Sequence, residues 1–207
     1  MAEALGLEAY DQSMSEGISE SAFTGWLLPT GQSGSFKYVP SPFITAYEKG
    51  GVFLFDEIDA ADANLLVLMN EAIANDYFFL PQRHTKPKVV KHKDFVAIAA
   101  ANTFGAGADA QYVGRNALDA ATLDRFRAGL IQMDYSAPVE EALVDPEVLE
   151  WGRKIRKVIR QNGLFHIMST RVMLDLSKLK EQYDWDKTEW EETYLANWAE
   201  EERRMLA

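Results

Sequence analysis

The chain has no cysteine among its 207 residues. That excludes a disulfide framework and any thiolate metal site, and it fits a reducing compartment. No uninterrupted apolar run is long enough to span a bilayer. The opening residues, Met1 to Leu7, lack a basic segment, so they do not read as a secretory signal, and a cytoplasmic address is expected. Positive charge is also scarce: 21 Lys and Arg stand against 32 Asp and Glu, a net charge of −11. A polyanion is held by cations that neutralise its phosphates, so broad binding to nucleic acid is not expected. Internal repeats and low-complexity stretches are absent.

What is present is enough apolar content, 47%, to build a core. The length allows one domain, or one with a small appendage. Met1 to Leu5 reads as the last turns of a helix stopped by Gly6, and Leu7 to Tyr10 as a short strand. Ser13 to Pro42 is rich in Ser, Gly and Pro and reads as a long loop. Within it a helical turn is expected near Ser19 to Phe23 and a small hairpin around Gly31 to Tyr38. Phe43 to Lys49 reads as a helix with Ser41 as N-cap and Pro42 at its first position. Asp62 to Asn75 carries Leu65, Leu66, Leu68, Met69, Ala72 and Ile73 at helical spacing.

Tyr77 to Leu80 and Lys88 to Val90 read as the arms of a second hairpin. It bears Arg83, His84, Lys86, Lys88, Lys91, His92 and Lys93, the one basic cluster in an acidic chain. A solvated edge that resists aggregation would look like this, and so would a finger that touches an acidic partner. Phe95 to Ala101 is a further apolar strand, ending in Asn102-Thr103. Gly105 to Gly114 is a glycine- and alanine-rich loop, and Leu130 to Met133 is a candidate strand. From Val139 onward the chain reads as helical, with breaks near Gly163 and Tyr183 to Asp186 and one final helix over Lys187 to Leu206. A boundary near Pro138 thus separates an α/β part, residues 1–138, from a helical part, residues 139–207.

The most informative stretch is Val52-Phe53-Leu54-Phe55-Asp56-Glu57-Ile58-Asp59. Four apolar residues without alternation read as a strand buried on both faces of a parallel sheet. Asp56 and Glu57 then fall at its carboxyl end, where open α/β sheets place their ligands. One carboxylate to hold Mg²⁺ beside another to orient water is the layout for nucleotide hydrolysis. A solvated turn after an ordinary core strand would carry the same two residues.

Three segments in order resemble one family: VFLFDEIDAADANLLVLMNEAIAN, FVAIAAANT and YVGRNALDAATLDRF. Together they resemble an AAA+ ATPase module of the MoxR/CobS-like kind, over residues 1 to about 135 and more loosely beyond. The resemblance implies an AAA+ P-loop NTPase-type α/β three-layer sandwich followed by a helical lid. It implies that Asp56 is the Walker B aspartate holding Mg²⁺ through water, and that Glu57 polarises the attacking water. It casts Asn102 as sensor 1, Arg125 as an arginine finger reaching a neighbouring subunit, Arg171 as sensor 2 and Arg115 as a second interface arginine. ATP and Mg²⁺ are the implied cofactors. A homo-oligomeric ring, expected as a hexamer, and a protein client are the implied partners, with no membrane and no nucleic acid. The hairpin over Tyr77 to Phe95 would be the pre-sensor-1 hairpin, and Ser13 to Tyr38 would include the insert that faces the client.

One departure matters. The phosphate-binding pattern G-x-x-x-x-G-K-[ST] does not occur in the sequence. Gly31 to Ser35 is the nearest glycine-rich stretch, and no lysine follows in place. In the family the segment like AEALGL is the tail of the helix after that loop, so an N-terminal truncation is expected. The family sheet order is 5-1-4-3-2, and the missing first strand would be central to it. The candidate strand Leu130 to Met133 would then cross over to pair with the Phe95 strand, or another chain would fill the gap, or the protein would be only marginally folded. This chain alone is expected to bind ATP weakly and to be inactive. A partial module of a protein-remodelling ATPase follows, or else a non-enzymatic regulatory subunit that docks into a ring of intact subunits.

Overall fold

The computed structural model describes residues 2–31, 34–103, 106, 107 and 114–206. Two compact units divide the chain between Leu130 and Ile131.

The first unit opens with α1 (Ala2–Leu5), β1 (Ala9–Ser13) and α2 (Glu20–Thr24). A small antiparallel hairpin follows, β2 (Trp26–Pro29) against β3 (Phe36–Val39). Then come α3 (Pro42–Lys49), β4 (Gly51–Asp56), α4 (Ala63–Ala74), a second hairpin of β5 (Tyr77–Phe79) and β6 (Lys88–Val90), β7 (Phe95–Ala99) and α5 (Ala120–Phe126). The main sheet is parallel, in the order β1-β4-β7. That is the 2-3-4 portion of the expected strand order, and the unit has the expected α/β architecture.

Local chemistry sets the elements around β4. Ser41 Oγ accepts from the Ile44 N–H at 3.1 Å and caps α3, with Pro42 pre-set for the first turn. Gly51 then lets β4 run hard against β1. Its φ is +141°, and a Cβ there would lie 3.0 Å from the Glu8 carbonyl oxygen and 2.9 Å from the Tyr10 ring. Phe53 and Phe55 point to one face of the sheet and pack with Phe43, Tyr47 and Phe78 into an aromatic core. The Tyr47 hydroxyl donates to the Ala72 carbonyl at 2.8 Å, and burial pushes its pKa up to about 12. Asp62 caps α4 by accepting from Asn64 N–H at 2.8 Å.

Two expectations need correction. Val52 is buried but Leu54 is only half buried, and all five residues of β7 are half buried. Among the described residues β7 pairs with β4 alone, so one of its edges has no strand beside it. Leu130 to Met133 is not a strand, and Leu130 is 69% exposed. A four-residue apolar segment gains ladder hydrogen bonds only by reaching a strand edge, and among the described residues this one pairs with none. The expected loop over Gly105 to Gly114 lies mostly outside the described residues, as do Gln32 and Ser33 of the glycine-rich stretch.

The second unit is helical: α6 (Ala137–Leu143), α7 (Pro146–Asn162), α8 (Thr170–Tyr183), α9 (Lys187–Leu195) and α10 (Glu200–Arg204). The breaks at Gly163 and Asp184 are left-handed caps with φ of 62° and 52°. The single helix expected over Lys187 to Leu206 is instead two. Trp198 turns back into the core and stacks on His166 with ring centroids 4.2 Å apart, which interrupts the helix. Glu140 is 2% exposed and takes hydrogen bonds from Arg156 Nη2 and Thr170 Oγ1, both at 2.8 Å. Burial pushes its carboxyl up, but those bonds more than offset this and hold it below the ordinary value.

Candidate active site at the carboxyl end of the central strand

Asp56 is the last residue of β4, and its side chain is exposed. Its Oδ1 accepts from the Glu57 N–H at 3.1 Å. Glu57 then adopts a left-handed conformation, with φ 54° and ψ 43°. Non-glycine residues hold this conformation at a cost, and it turns the chain sharply off the strand. Ile58 N–H donates to the Ala100 carbonyl at 2.9 Å, which ties the turn to the end of β7.

Asp59 completes the turn and is fully buried. Its Oδ2 accepts three hydrogen bonds: from Asn102 N–H at 3.1 Å, Thr103 N–H at 3.1 Å and Thr103 Oγ1 at 2.8 Å. Its Oδ1 accepts no hydrogen bond. Arg115 lies beside that oxygen, with Nη1 at 3.7 Å, while its Nη2 holds Glu57 Oε1 at 3.1 Å. Asn116 N–H donates to the Asp59 carbonyl at 2.7 Å and fixes the arginine's segment to the same turn. Glu57, Asp59, Asn102, Thr103 and Arg115 therefore form one cluster at the ends of two adjacent parallel strands.

Asp59 and Thr103 were not singled out from the sequence. A third carboxylate two residues after Glu57, and a hydroxyl directly after Asn102, were the available signals. Arg115 meets Glu57 and Asp59 of its own chain. Arg125 stands apart, exposed near the end of α5, with no ion pair among the described residues. Thr122 on α5 accepts from Asn70 Nδ2 of α4 at 2.8 Å, which docks the helix that carries Arg125. Arg171 lies in the first turn of α8 in the second unit and is exposed.

Residues 1–126, more than half of the chain, match the AAA domain of the dynein-related subfamily. The chain belongs to the AAA domain family. No curated protein matches it. Among solved structures it is similar to a protein from Cytophaga hutchinsonii assigned as an ATPase, at 14% identity and a TM-score of 0.38. That likeness covers 91% of this chain and 68% of the other, and it is too distant to transfer any residue's role.

Membership in the AAA domain family implies nucleotide binding, generally with Mg²⁺. The donor set here fits a metal held at one remove. Among the described residues no group of three metal-ligating side chains converges. Asp56 is exposed with one oxygen engaged by a backbone N–H and the other available, as suits a carboxylate that meets Mg²⁺ through water. No helix among the described residues is long and apolar enough to cross a membrane.

Proposed function

We propose that this chain is a partial module of a MoxR/CobS-like AAA+ ATPase whose complete form couples ATP hydrolysis to the remodelling of protein complexes. The observation that supports this reading is the Asp59 bridge, which ties the Asn102 backbone N–H, just past β7, to the turn after β4 that begins with Glu57. Bound Mg²⁺ and ATP supply the phosphoryl group and the charge that offsets it. Asp56 would hold Mg²⁺ through its water shell. Glu57 draws a proton from the attacking water as general base. Asn102 orients that water, with its backbone held by Asp59. Arg125 would reach from α5 to the nucleotide of a neighbouring subunit in a ring, and Arg171 would serve as sensor 2. The phosphate cradle comes from sequence outside these residues, since no phosphate-loop pattern occurs within them. Exposed Trp26, Leu28 and Phe36 on the β2–β3 hairpin supply an apolar contact for a protein client.

The test is to join the chain to an upstream strand and phosphate loop and to measure Mg²⁺-dependent ATP hydrolysis. Glu57→Gln should lower the rate about 100-fold or more. A restored protein that binds ATP but does not hydrolyse it, or one indifferent to Glu57→Gln, would sink the reading.

A second reading is favoured by the exposed Arg125 guanidinium, which has no ion pair among the described residues: a regulatory subunit that docks into a ring of intact subunits and donates only that cation. The chain should then co-purify with a full-length paralogue and raise its turnover in an Arg125-dependent way. Failure to associate would count against it.

A further inference from the structure

The β5–β6 hairpin has an inner and an outer face of different chemistry. Phe78, Leu80 and Val89 point inward and are buried in the core. The outer face of a one-sided antiparallel pair is ordinarily polar. Here it carries Tyr77, Phe79 and Val90, which are 44%, 59% and 52% exposed. Tyr77 pairs with Val90 and Phe79 with Lys88 across the ladder, so these side chains form one patch. Tyr77 and Phe79 meet edge to face with centroids 5.8 Å apart, and Lys88 Nζ sits 4.0 Å over the Tyr77 ring.

The charge around this patch is one-signed. Residues 77 to 93 hold five Lys and Arg and no Asp or Glu, within a chain of net charge −11. Arg83 and Lys91 are engaged by Glu48 and Asp76, at 2.8 and 2.9 Å. Lys86, Lys88 and Lys93 are exposed and have no carboxylate within ion-pair distance among the described residues. Lysines alone suit a solvated edge, but exposed Tyr and Phe rings do not, and such rings are enriched at protein-binding surfaces.

We propose that the outer face of this hairpin docks an acidic segment of a protein partner that alternates carboxylates with apolar side chains. The apolar side chains would lie over Tyr77, Phe79 and Val90, while the carboxylates meet Lys86, Lys88 and Lys93. A nucleic acid fits less well. Three lysines without a carboxylate partner among the described residues neutralise few phosphates, and the net negative field of the chain repels a polyanion at long range.

The experiment uses the full chain and fluorescently labelled peptides of alternating Glu and Leu, alternating Lys and Leu, and alternating Glu and Ser. Single-stranded oligothymidylate is the nucleic-acid probe. The Glu/Leu peptide should bind, more weakly as salt rises, and the other three should bind at least about tenfold more weakly. Phe79→Ser and Lys88→Glu should each weaken it about tenfold, whereas Lys157→Glu, an equal charge change on an exposed site of α7, should leave it unaltered. Photocrosslinks from the peptide to the unaltered chain should fall within residues 77–93, which keeps the test informative if a variant folds poorly. Equal loss with Lys157→Glu would show attraction to charge alone and overturn the proposal. So would crosslinks elsewhere, preference for oligothymidylate, or no binding of the Glu/Leu peptide.

Discussion

Arg115 Nη2 holds Glu57 Oε1 at 3.1 Å, and the same guanidinium reaches toward Asp59 at 3.7 Å. One cation therefore spans an exposed carboxylate and a buried one on the same turn. A planar fork can do this, and a single ammonium cannot serve both points equally.

Removing that cation leaves the Asp59 carboxylate buried beside no positive charge, an arrangement that is costly in a low-dielectric interior. Arg115→Ala should destabilise the first unit by about 1–3 kcal/mol, read as a lowered urea midpoint, and Arg115→Lys should recover part of this. An unchanged midpoint in Arg115→Ala would mean that water replaces the arginine without cost.

Asp59 is the tie between the turn after β4 and the turn after β7. Asp59→Ala leaves two backbone N–H groups and a hydroxyl without their acceptor, and should cost at least about 2 kcal/mol. Amide exchange at Asn102 and Thr103 should quicken by at least about tenfold while Phe53 in β4 stays protected, as expected of local opening. Uniform loss of protection across the sheet would instead identify Asp59 as a general core residue. Asp59→Asn, which keeps an acceptor oxygen, should be the milder change.

In the second unit, Glu140 and Asp145 are both held below their ordinary values of 4.5 and 3.8. For each, burial pushes the carboxyl up and hydrogen bonds outweigh it: from Arg156 and Thr170 on Glu140, and from Lys180 and backbone N–H groups on Asp145. A folded-state value below the unfolded one means that the unfolded chain binds the proton more readily. Their stabilisation is thus complete above the ordinary values and is lost as pH falls through them toward the lowered ones. Glu140→Ala should cost about 3 kcal/mol near neutral pH, because it strands the Arg156 guanidinium. The gap to the unaltered chain should narrow in acid. A gap independent of pH would show that Glu140 acts by shape alone. Tryptophan fluorescence follows this unit, which carries Trp151, Trp185, Trp190 and Trp198.

Much of the fold was legible because its signals are local. Ser41 with Pro42, Asp62 before a helical stripe, and Gly50-Gly51 before the apolar run each act within a turn of chain, and each element begins where they place it. What failed was set by distant partners. Leu130 to Met133 has the composition of a strand but pairs with no strand among the described residues. The helix over Lys187 to Leu206 breaks because Trp198 finds His166, more than thirty residues earlier in the chain. At the candidate site, Asp56, Glu57 and Asn102 stood out by their place at strand ends. Asp59 did not, because its hydrogen-bond partners lie 43 and 44 residues away and nothing in its neighbours announces them. Arg115 stood out only through the motif that contains it, and its contact with Glu57 is a product of the folded turn.

The central proposal is that this chain contributes to two sites shared between subunits: Glu57 and Asn102 to the one that holds its own nucleotide, and Arg125 to its neighbour's. The most direct measurement is ATP hydrolysis by mixed rings, with the phosphate loop restored, made from Glu57→Gln subunits and Arg125→Ala subunits. Each variant alone should be inactive. Mixed in equal amounts they should recover about a quarter of the unaltered rate, because one interface in four then joins an intact Glu57 to an intact Arg125 in a head-to-tail ring. No recovery, from rings shown to contain both variants, would contradict a site completed by the neighbour's Arg125.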